Sequence, residues 1–489
     1  MAGRNLVIIM ADELSPKFLG CAGHPLVQTP NIDALAASGT RFTSAYTPSP
    51  LCMPARAAFA TGQYAHRTGY WDNVLAYDGR VASWGHHLQR TGHHVATIGK
   101  LHYTGSDISA GIDEQIVPMH VVDDGDFYGL MRDDPPQRPQ SAQLAAKVGA
   151  GVSEYIAYDL RIAELAQRWI AANAGRRDRK PWVLFVSFLA PHFPLIVPQP
   201  YIDRYDIAQI PLPKQLLHEG HAGHEWWETF ARCYDFDRYF KDDLHRRKAI
   251  QAYLGLCSFV DDNVGRVLKA LDLAAPEDST RVIFTSDHGD NLGARGLWGK
   301  STMYEESVGI PFVAAGPGIP AGKVCRTPVS LIDLYPTIIE AVGEALTPDE
   351  RQLPGRSILE IAGAGDDAER VVFSEYHASC AKTGVYMLRQ GRFKYVHPTG
   401  HAPQLFDLDE DPEEQVNLAA RPDKAEIVRK FEDALLIRLD PREVDRRAKA
   451  DQRAKLGQLG GRERVLARKS PSFTPAPVEC SRAPASENA

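Results

Sequence analysis

The chain has 489 residues, of which 44% are hydrophobic and 24% are charged, and its formal net charge is -7. This composition is typical of a globular protein with a large core, and the acidic balance argues against nucleic acid as a general partner. The longest apolar run spans residues 182–190, far fewer than the roughly 20 residues of a membrane-spanning helix. The first residues show no signal-peptide pattern, so the sequence predicts a cytoplasmic protein without membrane contact.

Short apolar runs alternate with amphipathic helical patterns through most of the chain. The runs predict buried strands over residues 5–10, 95–98, 182–189 and 281–286. The patterns between them predict helices over residues 31–39, 151–172 and 245–270. This alternation predicts an α/β fold with a large, mixed, mostly parallel, doubly wound sheet flanked by helices.

The pattern changes after about residue 363. Four short strand-like segments separated by turns predict a small antiparallel sheet over residues 371–376, 385–389, 393–397 and 404–407. A helix is expected near 424–439. The sequence thus predicts a main α/β domain over 1–365, a small α+β subdomain over 366–440, and a charged, then Pro-rich tail over 441–489. The composition of the tail is also that of a disordered segment, so its order stays open at this point.

The chain contains seven cysteines and no CxxC pair, which does not predict a disulfide framework in a chain of this length. Six of them are expected to be free thiols: Cys21, Cys233, Cys257, Cys325, Cys380 and Cys480. The seventh, Cys52, belongs to a motif that carries chemistry.

Polar side chains follow each of the four predicted parallel strands. In strand order they are Asp12 and Glu13, then Lys100 and His102, then His192, and finally Asp287 and His288. Open α/β sheets bind ligands at the edge where the carboxyl ends of the strands meet. Four polar clusters at such positions predict one common site.

Two kinds of chemistry are represented in these clusters. Carboxylates and one imidazole suit a Ca²⁺ or Mg²⁺ ion, or Mn²⁺, and are offered by Asp12, Glu13, Asp287 and His288. A tetrahedral anion needs several donors around it, and these are offered by Arg56, Lys100, His102, His192 and Lys300. Together the two sets predict a pocket for sulfate or phosphate esters.

The segment 51–56 reads Leu-Cys-Met-Pro-Ala-Arg, which has the form Cys-x-Pro-x-Arg, and Thr61-Gly62 closes the run. At the start of a predicted helix, Cys52 would meet the positive end of the helix dipole, which stabilises an anion. With the clusters above, this motif resembles the signature of the type I sulfatases of the alkaline phosphatase superfamily. The resemblance extends from Asn5 to about Leu418 and includes residues 10–13, 29–35, 99–102, 190–194, 285–290, 296–300 and 404–408.

The resemblance implies a sulfuric ester hydrolase in which Cys52 is oxidised to formylglycine and one divalent metal is bound, Ca²⁺ first and Mn²⁺ or Mg²⁺ as alternatives. The aldehyde hydrate would bind the metal through one oxygen and attack sulfur with the other. Arg56 and Lys100 would hold this hydrate, and His102 would accept a proton when the aldehyde is restored. A formylglycine-generating enzyme would be a transient partner.

The same resemblance implies that His192 and Lys300 bind the sulfate and that one of them acts as general acid. Asn73 matches a position that contacts a sulfate oxygen in several relatives. Two features depart from the family pattern. The motif carries Met and Ala where relatives commonly have Ser, which bears on the conversion of Cys52, and relatives usually have Asp or Gln at position 13, which bears on Glu13 as a metal ligand.

The start of the chain and its tail are similar to the choline sulfatases, in which the tail crosses to a neighbouring subunit. A homo-oligomer, a dimer or tetramer with an ordered tail, is therefore expected. The expected substrates are small aryl or alkyl sulfates, including choline-type esters. An aromatic cage or a stacking surface has four candidates in sequence: Tyr70, Trp71, Tyr103 and Trp298.

Two other functions stay open. A phosphonate monoester or phosphodiester hydrolase shares the fold, the Cys motif and the metal site, although Lys100 and His102 favour a sulfatase. A sulfatase-like binding protein would keep Cys52 as a thiol and bind without turnover.

Overall fold

The structure is a computed structural model that describes residues 3–176, 180–216, 224–276, 279–468 and 473–477. Its strands are β1 (Asn5–Asp12), β2 (Gly39–Phe42), β3 (Ala45–Tyr46), β4 (Val95–Lys100), β5 (Glu114–Met119), β6 (Val148–Ala150), β7 (Val183–Pro191), β8 (Leu195–Val197), β9 (Thr280–Ser286), β10 (Phe312–Ala315), β11 (Lys323–Cys325), β12 (Val329–Ser330), β13 (Val371–Tyr376), β14 (Val385–Gln390), β15 (Phe393–Pro398) and β16 (Gln404–Asp407).

The α-helices of the same residues are α1 (Pro30–Ala37), α2 (Cys52–Thr61), α3 (Ala65–Thr68), α4 (Trp84–Arg90), α5 (Ala142–Ala146), α6 (Glu154–Asn173), α7 (Gln199–Ile202), α8 (Glu225–Tyr234), α9 (Asp243–Ala274), α10 (Glu305–Val308), α11 (Leu334–Ala341), α12 (Ile358–Gly363), α13 (Ala425–Arg438), α14 (Pro441–Gln458) and α15 (Arg462–Leu466). The four predicted parallel strands and the three predicted long helical segments are all present.

The main sheet has eight strands in the spatial order β11-β2-β10-β9-β1-β7-β4-β5. The strands β9, β1, β7, β4 and β5 are parallel, whereas β10 is antiparallel to β9 and β2. This confirms the predicted α/β fold with a mixed, mostly parallel sheet.

Alternate residues of β1 belong to two separate cores, because successive side chains of a strand point to opposite faces. Val7 and Ile9 pack with α6 and α9 on one face. Leu6, Ile8 and Met10 pack with α2, α4 and α11 on the other. Helices cover both faces, so the central strands are apolar throughout and only their ends carry polar side chains.

The second sheet is antiparallel, in the order β13-β14-β15-β16, and α13 follows it. This confirms the predicted small C-terminal sheet and helix. Beyond it the tail is helical over α14 and α15. Asp440 caps α14, because its side chain accepts hydrogen bonds from the backbone N–H groups of Arg442 and Glu443. The ordered alternative for the tail therefore holds over these two helices.

The prediction of free thiols is wrong for two cysteines. Cys233, near the end of α8, and Cys380, between β13 and β14, form a disulfide. They are 147 residues apart and meet only because α8 packs against the second sheet, so no local spacing indicates the pair. Cys21, Cys257 and Cys325 are free, and Cys480 lies outside the described residues.

Within the described ranges, no helix is long and apolar enough to cross a membrane.

Candidate active site

The polar clusters meet at the carboxyl edge of the main sheet. Asp12 ends β1, Lys100 ends β4, His192 follows β7, and Asp287 follows β9. A cavity with an empty volume of ≈ 990 Å³, including its open mouth, lies at this edge. Its lining includes most of the predicted site residues: Glu13, Cys52, Asn73, Lys100, His102, His192 and Lys300.

Four buried side chains form a set that can hold one metal ion. Their ligand atoms lie within 4.8 Å of one another and belong to Asp12, Cys52, Asp287 and His288. The Sγ atom of Cys52 is 3.1 Å from Nε2 of His288 and 3.8 Å from Oδ1 of Asp12. Two carboxylates and an imidazole fit a hard or borderline divalent cation, whereas a thiol suits softer metals.

The orientation of His288 fits this role. Its Nδ1 atom lies 3.1 Å from the carbonyl oxygen of Gly289, so Nδ1–H is assigned as the donor and the lone pair of Nε2 faces Cys52. A backbone carbonyl that fixes the tautomer in this way is the usual support of a metal-binding histidine.

Glu13 lies beside the four-residue set and not within it. Its backbone is left-handed, with φ 69°, and its Oε2 atom is 3.1 Å from Nζ of Lys300 and 3.2 Å from Nε2 of His192. Glu13 forms a second possible metal set with Asp12 and His192. Burial raises the pKa of Glu13 to about 8, although the charge of Lys300 lowers it. The Oε1 atom is buried and has no hydrogen-bond partner among the described residues.

Arg56 connects the nucleophile helix to the metal set. It lies one turn after Cys52 on α2, so both side chains lie on the same helical face. Its Nε atom donates to Oδ2 of Asp287 at 2.8 Å. Its other bonds run from Nη1 to the carbonyl oxygen of Lys100 at 2.8 Å and to Oγ of Ser187 at 2.9 Å. Arg56 therefore fixes the ends of three strands relative to α2.

Asp12 forms an ion pair with Lys100 in the buried site. Burial alone would raise the pKa of Asp12, but the charges of Lys100, Arg56 and Lys300 outweigh it and hold the pKa well below its usual range. Asp12 is thus an ionised carboxylate, the form that binds a metal. Burial acts in the same direction on Cys52, but there it prevails, so the pKa of the thiol is raised despite the charges of Lys100 and Lys300.

His192 and Lys300 form a hydrogen-bonded pair. Nε2 of His192 is 2.7 Å from Nζ of Lys300, and Nδ1 is 2.6 Å from the carbonyl oxygen of Phe193. Burial and then the charge of Lys300 hold the pKa of His192 well below its ordinary value. The imidazole is thus assigned as neutral, with Nδ1–H donating to Phe193 and Nε2 accepting from the ammonium of Lys300.

His102 contacts the tail of the same chain. Its Nε2 atom lies 2.8 Å from Oγ1 of Thr474, and the hydroxyl of Tyr155 donates to the carbonyl oxygen of Thr474 at 2.6 Å. Burial, followed by the charges of Lys100 and Arg56, holds the pKa of His102 well below its usual value. The segment 473–477 therefore closes one side of the cavity within one chain, whereas the resemblance to choline sulfatases predicts a tail from a neighbouring subunit at such a site.

The side chain of Asn73 contacts the first turn of α2, where its Oδ1 atom accepts a hydrogen bond from the backbone N–H of Met53 at 3.2 Å. Of the four aromatic candidates, Trp298 lines the cavity. Trp71 instead donates to Asp451 of α14 at 2.8 Å, and Tyr70 donates to Asp78 at 2.7 Å.

Sequence reasoning missed two buried polar residues that position the site. Ser187 interrupts the apolar run of β7 and bonds to Arg56. Asp159 lies on the buried face of α6 and accepts hydrogen bonds from the backbone N–H groups of Leu189 and Ala190, both at 2.8 Å. A lone polar residue inside an apolar strand or stripe was the available signal in both cases, because buried polar groups require partners.

The fold and this site define a hydrolase of anionic esters related to the alkaline phosphatases: a doubly wound sheet with a buried metal set, a cysteine at a helix start and a ring of cations. The chain belongs to the sulfatase family. Residues 4–344 match the family model described as Sulfatase, and residues 293–440 match the model of the N-sulphoglucosamine sulphohydrolase C-terminal region.

Several known proteins are similar along most of their length. A choline-sulfatase of Rhizobium meliloti (strain 1021) is 33% identical over 436 residues, which cover 86% of this chain and 83% of the relative. An arylsulfatase K of Danio rerio is 28% identical over 440 residues, or 85% of this chain and 80% of the relative. These matches confirm the resemblance to the sulfatases.

Solved structures share the fold of this chain. A phosphonate monoester hydrolase of Agrobacterium radiobacter has a TM-score of 0.72 and 25% identity, and covers 88% of this chain and 95% of its own. A putative sulfatase from Bacteroides thetaiotaomicron has a TM-score of 0.69 and 22% identity, with 98% and 96% coverage. The second likeness shows the fold alone.

Proposed function

We propose that this protein hydrolyses small aryl or alkyl sulfate esters through a formylglycine derived from Cys52. The observation that carries this proposal is the position of Cys52, which starts α2 within a buried set of two carboxylates and an imidazole. A thiol prefers softer metals than the carboxylates beside it do, whereas an aldehyde hydrate offers oxygen atoms that suit the same hard cation. Conversion of residue 52 would complete an oxygen-rich site.

The metal site would consist of Asp12, Asp287, His288 and residue 52, with Glu13 as a further candidate ligand. Ca²⁺ is the first choice for this ligand set, and Mn²⁺ or Mg²⁺ are the alternatives. When bound, the metal would screen the sulfate charge and lower the pKa of the nucleophilic hydroxyl.

The remaining residues would bind the ester and move protons. Lys300 would bind a sulfate oxygen, and one member of the hydrogen-bonded pair of Lys300 and His192 would protonate the leaving oxygen; Lys300 carries the shared proton of this pair. Arg56 and Lys100 would hold residue 52 in position. His102 would accept the proton released when the aldehyde is restored. Asn73 lines the same cavity beside Cys52 and would contact a sulfate oxygen.

The mass of the peptide that contains residue 52 tests the nucleophile. Protein made together with a formylglycine-generating enzyme should show the aldehyde mass, and Cys52→Ala should lose turnover of 4-nitrophenyl sulfate. Cys21→Ala is the matched control, because Cys21 is a free cysteine outside the cavity lining among the described residues. An intact thiol at residue 52 in an active enzyme would refute the mechanism, and an intact thiol in an inactive protein would favour the binding-protein alternative.

A phosphonate monoester or phosphodiester hydrolase is the second candidate, favoured by the likeness to the Agrobacterium radiobacter enzyme. The same preparation should be assayed with 4-nitrophenyl sulfate and with an aryl phosphonate. A higher kcat/KM for the phosphonate would replace the sulfatase proposal with this alternative.

The protein is predicted to form a homo-oligomer. Each chain is predicted to have a main domain over 1–365, a subdomain over 366–440 and a tail over 441–489.

The cytoplasmic location stays a prediction, and the Cys233–Cys380 disulfide supplies a test of it. Disulfides are rare in reducing compartments. Alkylation of thiols during lysis, followed by peptide mass analysis, should find both cysteines alkylated if the protein resides in a reducing cytoplasm.

A further inference from the structure

One wall of the cavity contains none of the residues assigned to sulfate or metal. It consists of aromatic rings and one ion pair, contributed by Asp126, Arg138, Tyr234, Phe236, Trp298 and Phe473. Because the sulfate-binding side chains gather at the sheet edge, we expect the leaving group of the ester to meet these other lining residues, which we call the wall. Its charge distribution therefore decides which leaving groups are accepted.

The carboxylate of this wall is already paired. Nη1 of Arg138 lies 3.0 and 2.7 Å from the two carboxylate oxygens of Asp126. The hydroxyl of Ser379 bridges them, at 2.9 Å from Arg138 and 3.0 Å from Asp126. The side chain of Arg138 is only 11% exposed. The other carboxylate in the described lining, Glu13, is paired with Lys300. Neither is available to balance a cationic substrate.

Four aromatic rings in or beside the cavity also carry cations of the protein itself on their faces. The guanidinium carbon of Arg138 lies 5.0 Å from the ring centre of Tyr234 and 4.8 Å from that of Tyr128. Lys147 lies 5.0 Å from the centre of Phe473, and Lys300 lies 5.9 Å from that of Phe193. A quaternary ammonium group binds to such faces, and here it would compete with fixed positive charges for them.

Two rings of the wall, those of Phe236 and Trp298, are each fixed by a stacked aromatic neighbour. Phe236 stacks on Tyr234 with 5.1 Å between ring centres, and Trp298 stacks on Phe240 at 4.3 Å. Offset stacking on such rings favours a flat, uncharged partner.

We infer that Arg138 is a specificity-determining residue that rejects leaving groups with a permanent positive charge and selects uncharged ones, aromatic groups above all. This inference rests on the proposed sulfatase function and names its substrate class. The substrate preference of this chain would therefore differ from the one that the name of the choline-sulfatase relative states, although the two chains are 33% identical.

The same geometry predicts how the selection can be reversed. Arg138→Met keeps a long apolar side chain but removes the guanidinium, so the carboxylate of Asp126 is exposed beside the rings of Tyr128 and Tyr234. A carboxylate next to aromatic faces is the environment that a quaternary ammonium prefers. The double variant Asp126→Asn with Arg138→Met keeps the space and removes that carboxylate.

The test compares two esters of equal shape, choline sulfate and its uncharged carbon analogue 3,3-dimethylbutyl sulfate, with 4-nitrophenyl sulfate as a reporter of intact chemistry. For the aldehyde-bearing wild type we expect kcat/KM to favour the uncharged ester by about tenfold or more. Arg138→Met should shift this ratio toward choline sulfate by about tenfold, and the double variant should lose the shift. Arg80→Met is the matched control, because Arg80 also pairs with an aspartate, Asp78, and lies over a tyrosine outside this cavity.

A wild type that prefers choline sulfate would overturn the inference, as would an Arg138→Met variant that changes both esters equally. If that variant does not fold, inhibition of wild-type turnover by choline and by 3,3-dimethylbutanol replaces it, and tighter inhibition by choline is then the contradicting result. Absence of 4-nitrophenyl sulfate turnover by aldehyde-bearing wild type would instead contradict the proposed function itself.

Discussion

Buried charges in the site are paired almost one to one. Asp12 forms an ion pair with Lys100, and Asp287 forms one with Arg56, whereas the contact of Lys300 is with Glu13, whose pKa of about 8 leaves it largely protonated at neutral pH. Each buried ion costs several kcal/mol of desolvation, which an ion pair offsets only when both partners remain. A divalent metal would add positive charge to a set that is already balanced, so the loaded site would attract an anion. That surplus explains why the cavity suits a sulfate ester.

Asp159 is predicted to position His192 rather than to touch the substrate. It holds the backbone of Leu189 and Ala190 just before His192. In Asp159→Asn the amide offers one acceptor oxygen and places an N–H₂ group against a backbone donor, so the strand end must shift. A displacement near 1 Å can lower a rate about 100-fold, and we expect kcat to fall far more than KM changes. Steady-state kinetics check this, and an equal effect on both parameters would contradict it.

The pH dependence of stability gives Asp159 a second readout. Burial raises the pKa of Asp159 to about 7, against two backbone hydrogen bonds that lower it. The folded protein therefore binds a proton that the unfolded chain releases near pH 4, and the stability from this group decreases as pH rises from about 4 to about 7. Asp159→Asn should lack this component, so its unfolding free energy relative to wild type should increase between pH 5 and pH 8. Urea unfolding at both pH values measures it.

At the scale of elements, α14 is attached through polar contacts more than through an apolar seam. Its buried positions combine the apolar Pro441, Val444 and Ala448 with the polar Asp445 and Gln452. Asp445 pairs with the buried Arg132, which also donates to the carbonyl oxygen of Ala381. Arg132 lies in the same stretch of chain as Arg138, so α14 contacts the segment that leads to the cavity.

Gln452 attaches α14 to the rest of the fold through two buried hydrogen bonds. Its Nε2 atom donates to Oδ2 of Asp72 at 2.8 Å and to the carbonyl oxygen of His377 at 2.6 Å. Gln452→Ala leaves both acceptors buried, so we expect a loss of about 1–3 kcal/mol in unfolding free energy. Arg446→Ala on the exposed face of α14 should stay within about 0.5 kcal/mol. Equal losses in denaturant unfolding would show that α14 contributes little to the folded state.

At the scale of the whole molecule, the sheet and the four clusters were predictable because parallel strands buried on both faces are apolar until they end. The first polar residue after each run, such as Asp12 or Lys100, therefore marks the functional edge. The hydrophobic pattern of the tail did not decide between helix and disorder, because α14 is highly charged and buries polar side chains. The Arg138–Asp126 pair lies in segments without periodicity, and the disulfide joins α8 to a turn 147 residues further along the chain, so only tertiary packing reveals the two pairs.

Metal binding should be visible in stability without any turnover. Chelation leaves the carboxylates of Asp12 and Asp287 close together near Cys52, and readdition of Ca²⁺ at about 100 times its Kd should raise the unfolding free energy by about 2.7 kcal/mol. Asp287→Asn should lose most of this gain, whereas Asp126→Asn, outside the metal set, should keep it. Thermal unfolding with Ca²⁺, Mn²⁺ and Mg²⁺ ranks the ions. A gain that survives Asp287→Asn would place the metal elsewhere.

The tail segment 473–477 contributes contacts to one side of the cavity. Thr474 bonds to His102 and Tyr155, and Phe473 packs on Tyr155 with 5.2 Å between ring centres. Deletion of residues 469–489 should leave the fold intact and lower kcat/KM by about tenfold or more, because His102 loses its partner and water enters the cavity. Thr474→Val should reproduce part of the loss, and Thr474→Ser, which keeps the hydroxyl, should not.

Mixing distinguishes a tail that serves its own chain from one that serves a neighbour. Full-length Cys52→Ala protein has a tail but no nucleophile, and the deletion variant has a nucleophile but no tail. The contact of Thr474 with His102 of the same chain predicts that co-refolded mixtures are no more active than the deletion variant alone. Activity restored in the mixture, together with a larger species in light scattering, would show that the tail crosses between subunits and that the oligomer is the catalytic unit.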